Sequence, residues 1–162
     1  MAPTGQPNHR PIGDTVKDID RTAPVIVELQ TTIAATPETL WQLHTDIDSW
    51  PNWNAGIDKA LLRGGFVEGS VFEWETAGLS ISSSIVEVLP QRRTVWGGPA
   101  HGIDGVHVWM FEPTADGTVV TTLESWAGAP VEADPEGMRA ALEGSLLAWL
   151  DALKGAAERG RG

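Results

Sequence analysis

An unbroken series of strand-like segments, followed by one long amphipathic segment, restricts the fold of this chain more than any other feature. Between Lys59 and Gly128 six β-rich segments are separated only by Gly, Pro or Asp-Gly breaks: KALLR, SVFEWET, LSISSSIVEVL, TVWGG, GVHVWMFEP and TVVTTLESWAG. Parallel strands need long crossovers, usually helices, and no helical pattern lies between these segments. The pattern therefore predicts an antiparallel meander.

The segments on either side complete the predicted architecture. VIVELQTTI (25–33) is an earlier strand, and Thr36-Pro37 begins a short helix, because Thr caps helices and Pro suits their first position. A second short helix starts around Trp50-Pro51, after the interruption at Asp48-Ser49. A long helix runs from Asp134-Pro135 to about Gly155, with apolar residues at helical spacing: Met138, Leu142, Leu146, Leu147, Trp149, Leu150 and Leu153.

These elements predict an α+β domain in which a curved antiparallel sheet of about seven strands wraps around a long C-terminal helix. A length of 162 residues, 41% hydrophobic and 20% charged, is typical of one globular domain. Residues 1–22, rich in Pro, Gly and polar residues, are predicted to be a flexible N-terminal arm. The domain itself is predicted over residues 23–157, and residues 158–162 form a C-terminal tail.

Charge and residue types argue against several classes of partner. The net charge of −11 and the lack of a basic stripe predict that the chain binds no nucleic acid. The sequence contains no apolar run long enough to predict a membrane span. Without Cys or clustered His, no metal site is expected, and no Gly-rich motif indicates another cofactor. The absence of Cys and of a secretory profile at the N-terminus predicts a cytoplasmic protein. We expect it to be either a monomer or a homodimer.

The order of the elements resembles the helix-grip fold of the START-like superfamily, also called SRPBCC or polyketide cyclase/dehydrase-like proteins. The resemblance covers about residues 25–157 and rests on five stretches: ATPETLWQLHTDIDSWPNWN, SIVEVLPQRRTVW, VHVWMFEP, DGTVVTTLES and LLAWLDALKGAAE. It implies a cavity between sheet and closing helix that holds lipids, hormones or polyketides in different members. It does not select one reaction, because a fold hosts many functions.

A turn at Asp116-Gly117 predicts which side chains share a face of the sheet. A two-residue Asp-Gly turn places Trp109 opposite Glu124 and His107 opposite Trp126. A shift of the turn by one residue pairs His107 with Glu124 and leaves the face unchanged. In both registers the shared face carries His107, Trp109, Phe111, Val120, Thr122, Glu124 and Trp126.

We expect this aromatic face to line the cavity, because large rings make wide apolar walls and are a liability on a solvent-exposed sheet. The alternative is that the rings pack directly on the closing helix without a cavity. Trp50 and Trp53 lie either at the cavity mouth or in helix-to-sheet packing. The predicted ligand-binding residues are Trp50, Trp53, Trp74, Trp96, Trp109, Phe111, Thr122, Trp126 and His44.

Glu124 and His107 are the candidate catalytic residues. A carboxylate on an apolar face is desolvated, which raises its pKa and suits it to proton transfer. His107 beside it could relay the proton, the carboxylate fixing the imidazole tautomer. The alternatives are a solvated Glu124, or one paired with Arg63, and a structural His107. His44 on the apolar face of the first helix could contact the ligand or satisfy a polar group of the core.

Three functions are compatible with this pattern. The first is an enzyme that cyclises, aromatises or dehydrates a polyketide-like intermediate of natural-product biosynthesis, with Glu124 and His107 exchanging protons. The second is a non-catalytic carrier of a small apolar molecule, suggested by the few ionisable residues on the predicted cavity face. The third is a protein-interaction domain of the co-chaperone-related branch of the superfamily.

Overall fold

The computed structural model describes residues 17–159 and confirms the α+β helix-grip architecture. Its seven strands form one antiparallel sheet in the order β1-β7-β6-β5-β4-β3-β2. Strands β2 to β7 therefore pair in sequence order, as a meander requires, and β1 pairs with β7. The strands are β1 Val25–Ile33, β2 Ile57–Leu62, β3 Val71–Thr76, β4 Leu79–Leu89, β5 Arg93–Ala100, β6 Ile103–Thr114 and β7 Gly117–Ala127.

The helices begin where the capping residues predict. The Thr36 hydroxyl accepts a hydrogen bond from the backbone N–H of Thr39 at 3.1 Å, and the Asp134 carboxylate accepts one from Gly137 at 3.1 Å. A short helix between β7 and the closing helix was not predicted from the sequence. The helices are α1 Pro37–Thr45, α2 Trp50–Trp53, α3 Ala129–Ala133 and α4 Pro135–Arg159, with a 3-10 turn at Ile47–Ser49 before α2.

The closing helix α4 packs its apolar stripe on the sheet and fastens itself to the edge strand β1. Arg139 donates to the carbonyl of Ile26 at 2.7 Å, and Lys154 donates to the carbonyl of Thr32 at 3.0 Å. Unpaired edge carbonyls are thereby covered by cations. Leu147, which the sequence placed in the stripe, is 50% exposed, because it points away from the sheet. The buried residues are Leu142, Leu146, Trp149, Leu150, Leu153 and Ala157.

The β6–β7 hairpin has the second of the two predicted registers. Thr114 pairs with Gly117, so the turn consists of Ala115 and Asp116, and the turn predicted at Asp116-Gly117 is wrong by one residue. The reason lies in β1: a Cβ atom on Gly117 would collide with the carbonyl oxygen of Ile33. The glycine therefore serves this close approach between strands rather than the turn.

The outer face of the sheet carries a second apolar cluster. Residues 1–16 of the predicted arm lie outside the described residues, but Ile19, in the part that is described, is 5% exposed and packs on this face. The backbone N–H of Asp20 donates to the buried Ser125 hydroxyl at 2.9 Å, and Arg93 donates to the carbonyl of Lys17 at 2.8 Å. The domain boundary near Ala23 stays a prediction. The cluster contains Val95, Val106, Val108 and Leu123.

Candidate functional site

A cluster of aromatic side chains fills the space between the inner face of the sheet and α4. The register of β6 places Trp109 and His107 on the inner face, and Trp149 of α4 lies against both rings. Neighbouring ring centroids are separated by 4.6 Å between Trp96 and His107 and by 5.2 Å between Trp50 and Trp149. Many of these contacts are edge-to-face, the arrangement that ring quadrupoles favour. The cluster also contains Phe72, Trp74 and His44.

Glu124 lies beside His107, its partner across the β6–β7 pair. Its Oε1 is 3.3 Å from His107 Nδ1, and its Oε2 accepts a hydrogen bond from Trp126 Nε1 at 2.9 Å. His107 Nε2 is 2.8 Å from the Thr122 hydroxyl. Trp126 and His107 therefore flank one carboxyl group on an otherwise apolar face, and Thr122 holds the His107 ring. Arg63, the alternative partner, follows β2 at the far edge of the sheet and does not form this ion pair.

Burial shifts the proton affinities of this pair in opposite directions. Desolvation raises the pKa of Glu124 to about 7, although the hydrogen bond from Trp126 partly opposes the shift. Desolvation also lowers the pKa of His107 well below its usual value, and the nearby His44 lowers it further, because two imidazoles so close together do not both become charged. At neutral pH the imidazole is therefore neutral, while Glu124 exchanges readily between its acid and its carboxylate. The sequence predicted the direction of the Glu124 shift.

His44 projects from α1 into the same cluster. Its side chain is buried, and its Nε2 lies 2.9 Å from the Thr94 hydroxyl of β5. Its ring is 5.3 Å from that of Trp109 and 5.6 Å from that of Phe111. Desolvation lowers the pKa of His44 to about 3, so this imidazole is neutral at neutral pH.

The structure brings most of the predicted ligand-binding residues together but gives them different positions. Trp50 is fully buried in helix-to-sheet packing and donates to the carbonyl of His44 at 3.0 Å, which is the second of its two predicted roles. Trp53 packs at the periphery of the same core. Trp126 belongs instead to the apolar cluster under the N-terminal half of α4 and contacts the site through Glu124.

An open internal cavity stays a prediction, because the rings expected to form its walls contact one another. Next to the cluster, however, a surface groove of about 710 Å³ lies between α2 and the strands β2 to β4. Pro51, Ala60 and Ile81 line it, and so does Trp74, whose ring also contacts Trp96 at 5.9 Å. Trp74 therefore connects the groove with the aromatic cluster.

Several side chains of the site, among them Trp149, Thr94, Trp41 and Phe72, were not among the predicted site residues. Trp149 was recognised only as part of the α4 stripe, yet it contacts five rings of the cluster. Thr94 is buried and bonded to His44, fifty residues earlier in the chain. Trp41 contacts Phe111 at 6.0 Å. Helical spacing places Trp149 toward the sheet, but no sequence pattern pairs Thr94 with His44.

Two further observations concern residues 17–159 alone. Within that range no helix is both long and apolar enough to cross a lipid bilayer. The same residues contain no group of three or more His, Asp or Glu side chains arranged to hold a metal ion.

The fold and the site define a helix-grip protein with an aromatic interior and a buried contact between Glu124 and His107, and solved structures share this fold. The Zhui aromatase/cyclase from Streptomyces sp. R1128 superposes with a TM-score of 0.72 at 20% identity, over 83% of this chain and 93% of that one. A START superfamily protein from Mycobacterium smegmatis superposes with a TM-score of 0.69 at 13% identity, over 83% of this chain and 97% of that one. The di-domain ARO/CYC StfQ from the steffimycin biosynthetic pathway superposes with a TM-score of 0.70 at 18% identity, over 85% of this chain and 52% of StfQ.

The sequence itself places the chain in a family. Residues 24–158 match the family described as "Polyketide cyclase / dehydrase and lipid transport", and the chain belongs to it. This assignment confirms the resemblance to START-like proteins that the element order indicated. A search of curated protein sequences gave no match.

Proposed function

We propose that this protein binds a small, largely apolar carbonyl compound between the sheet and α4 and catalyses its cyclisation or dehydration by acid-base chemistry. The observation that carries the proposal is the placement of Glu124: a carboxyl group with a pKa raised to about 7, beside a neutral imidazole, at the margin of an aromatic cluster. A base whose pKa lies near the working pH is ionised in a large fraction of the molecules and still binds a proton strongly enough to remove it from a ligand. The family and the aromatase/cyclase neighbours support the same reaction class.

The groove next to Trp74 is the proposed entrance. Its wall contains Pro51 of α2 and Trp74 of β3, and the Trp74 ring touches Trp149 on the closing helix at 5.8 Å. A ligand that enters there must separate rings that contact one another in the structure. We therefore expect α2 and the side chain of Trp74 to move on binding, and the aromatic faces to re-form their contacts with the ligand.

Glu124 is the proposed catalytic residue. As a carboxylate it removes a proton from a carbon next to a ligand carbonyl, whose oxygen then carries the enolate charge. The enolate carbon attacks a second carbonyl of the same molecule, and protonated Glu124 returns the proton to the new alkoxide. In the dehydration that follows, the same carboxylate removes another such proton, and protonated Glu124 gives this proton to the hydroxyl group, which leaves as water. Each cycle regenerates the carboxylate.

His107 is proposed to orient Glu124 while it remains neutral itself. When Glu124 is ionised, Nδ1–H of His107 faces Oε1, and Nε2 accepts from the Thr122 hydroxyl. These two neighbours favour one tautomer of the imidazole, and its neutral state agrees with its strongly lowered pKa. The 3.3 Å separation between Nδ1 and Oε1 closes with a small side-chain movement.

Proton abstraction next to a carbonyl can be tested without the natural substrate. In D₂O the protein should accelerate deuterium incorporation at C2 of 1-tetralone, measured by ¹H NMR, and the rate should rise with pH through about 7 as Glu124 ionises. Glu124→Gln keeps an acceptor for Trp126 but has no titratable group. We expect it to lower the protein-dependent rate about 100-fold or more.

Glu28→Gln is the matched control. It removes the same charge from an exposed position on β1, the strand paired with β7, and should exchange like the unaltered protein. Exchange by Glu124→Gln at the rate of the unaltered protein would show that Glu124 is not the base.

A non-catalytic carrier is the second candidate, and the geometry of the histidines favours it. His107 Nε2 contacts Thr122 and its Nδ1 faces Glu124, and desolvation keeps His44 neutral, so Glu124 alone of the three changes charge near pH 7. Native mass spectrometry of the freshly purified protein should then show a retained compound. Incubation of that compound with the protein would leave its mass and NMR spectrum unchanged if the protein only carries it.

A further inference from the structure

The aromatic cluster contains hydrogen-bond donors that have no acceptor. The indole N–H groups of Trp96, Trp109 and Trp149 are buried, and none has a hydrogen-bond partner among the residues that the structure describes. The three side chains are 2%, 0% and 5% exposed. An indole nitrogen only donates, so none of these groups can satisfy another.

The rings that carry these donors surround the ring of His107. The rings of Trp96, Trp109 and Trp149 lie 4.6, 5.1 and 5.5 Å from the ring of His107, measured between centroids. His107 offers them no acceptor, because its Nε2 is engaged by Thr122 and its Nδ1 faces Glu124. Two other indoles of the cluster differ: Trp50 donates to the His44 carbonyl and Trp74 to the Ser83 hydroxyl at 3.1 Å. The N–H of Trp53 at the periphery and Nδ1 of His44 are also buried without a partner among the described residues, but neither the Trp53 ring nor the His44 ring is in contact with that of His107.

Three unsatisfied donors at one place are costly to a fold. Native proteins pair nearly all buried polar groups, and the exceptions require a specific explanation. Phenylalanine would fill an aromatic core without this cost, because it has no polar atom. N–H contacts with ring faces compensate only weakly. The donors become favourable if a bound molecule supplies the acceptors that the protein lacks.

We propose that Trp96, Trp109 and Trp149 determine ligand specificity by donating hydrogen bonds to carbonyl or ether oxygens of the ligand next to His107. The inference rests on the proposed ligand-binding function and narrows it. The preferred ligand is a ring system or folded chain with several oxygen acceptors, and hydrocarbons and simple fatty acyl chains are discriminated against. The same donors then stabilise the oxygen that becomes negatively charged when Glu124 removes a neighbouring proton.

Two probes of the same skeleton test this specificity. Fluorene is a hydrocarbon, and 9-fluorenone differs from it by one carbonyl acceptor and carries no donor. Binding of each to the full chain is measured by equilibrium dialysis. We expect 9-fluorenone to bind about threefold to tenfold more tightly, the effect of one net hydrogen bond. A purely apolar site prefers fluorene, since burying an unpaired carbonyl is unfavourable.

Tryptophan-to-phenylalanine variants then assign the donors. Trp96→Phe, Trp109→Phe and Trp149→Phe should each reduce the ratio of the two dissociation constants or abolish the preference, depending on which donor the carbonyl engages. Trp50→Phe loses the same ring area in the same cluster, but its N–H is already bonded to the His44 carbonyl, so it should keep the ratio. The ratio cancels losses of packing and of folded protein, because both probes experience them equally.

The possible results of these binding measurements distinguish a failure of the donor proposal from a failure of the proposed ligand binding. Equal affinity for the two probes, or tighter binding of fluorene, would overturn the proposed donor set while leaving ligand binding intact. A preference for 9-fluorenone that survives in all three donor variants would overturn it as well. Binding of neither probe would contradict the apolar binding site itself, and the donor proposal with it.

Discussion

Replacement of His44 by leucine should change how the stability of the protein depends on pH. The imidazole of His44 is buried among aromatic rings, and desolvation lowers its pKa in the folded protein from 6.5 to about 3. In the unfolded chain the group is solvated and takes up a proton near pH 6.5. A histidine with a lowered pKa contributes stability that is present above pH 6.5 and is lost as the pH falls toward its folded-state value.

The size of this loss follows from the two pKa values. At pH 5 the unfolded chain is almost fully protonated at His44, whereas the folded protein is not. Integration of the linkage relation between pH 8 and pH 5 gives a loss of about 2 kcal/mol in the free energy of unfolding. His44→Leu should therefore lose about 2 kcal/mol less than the unaltered protein over this range. His107 and Glu124 also titrate differently in the two states, but both remain in the variant.

Urea unfolding at pH 8 and pH 5, followed by tryptophan fluorescence, measures this difference directly. Comparing each protein with itself at two pH values cancels the pH-independent cost of the new packing. Thr94→Val is the control: it removes the hydrogen-bond partner of His44 but keeps the imidazole, so it should retain the pH dependence of the unaltered protein. If His44→Leu loses as much stability between pH 8 and pH 5 as the unaltered protein, His44 is not held neutral by burial, and the reasoning is refuted.

Two further predictions concern other parts of the site and fold. Trp126→Phe removes the hydrogen bond that lowers the pKa of Glu124, so the midpoint of the 1-tetralone exchange profile should move above about pH 7; an unchanged midpoint would contradict the role of Trp126. In Gly97→Ala a new Cβ would collide with the carbonyl oxygen of Gly105 across the β5–β6 pair, and we expect a loss of about 2 kcal/mol or more in urea unfolding. Gly144→Ala on α4 meets open space and should instead stabilise the protein by roughly 0.5–1 kcal/mol.

The fold was predictable because its determinants are local. Alternation with period two identifies the strands, and Thr36 and Asp134 mark helix starts through caps that need only the next few residues. The alternation of side chains on the two strands of a hairpin is equally local, so the sequence places His107 and Glu124 on one face of the sheet without fixing their exact pairing. The pairing itself depended on β1, since Gly117 is required where the Ile33 carbonyl approaches.

The interior of the site was less predictable because its contacts join distant parts of the chain. His44 and Thr94 meet only because α1 packs under β5, and Trp149 reaches His107 only through the docking of α4 on the sheet. Sequence patterns assign a residue to a face but do not state whether facing rings leave a cavity. The centroid distances show that the rings contact one another, so the proposed ligand would have to compete with ring-to-ring packing.

The two buried histidines and Glu124 together restrict the chemistry of this interior to a single change of charge. His44 and His107 are both held neutral by desolvation, so neither supplies a positive charge near pH 7. The Glu124 side chain is 16% exposed, which leaves it a route to solvent protons while its pKa stays near 7. A second ionised group nearby would shift that pKa, downward if positive and upward if negative. The neutrality of both imidazoles is thus part of what keeps Glu124 able to accept a proton and return it.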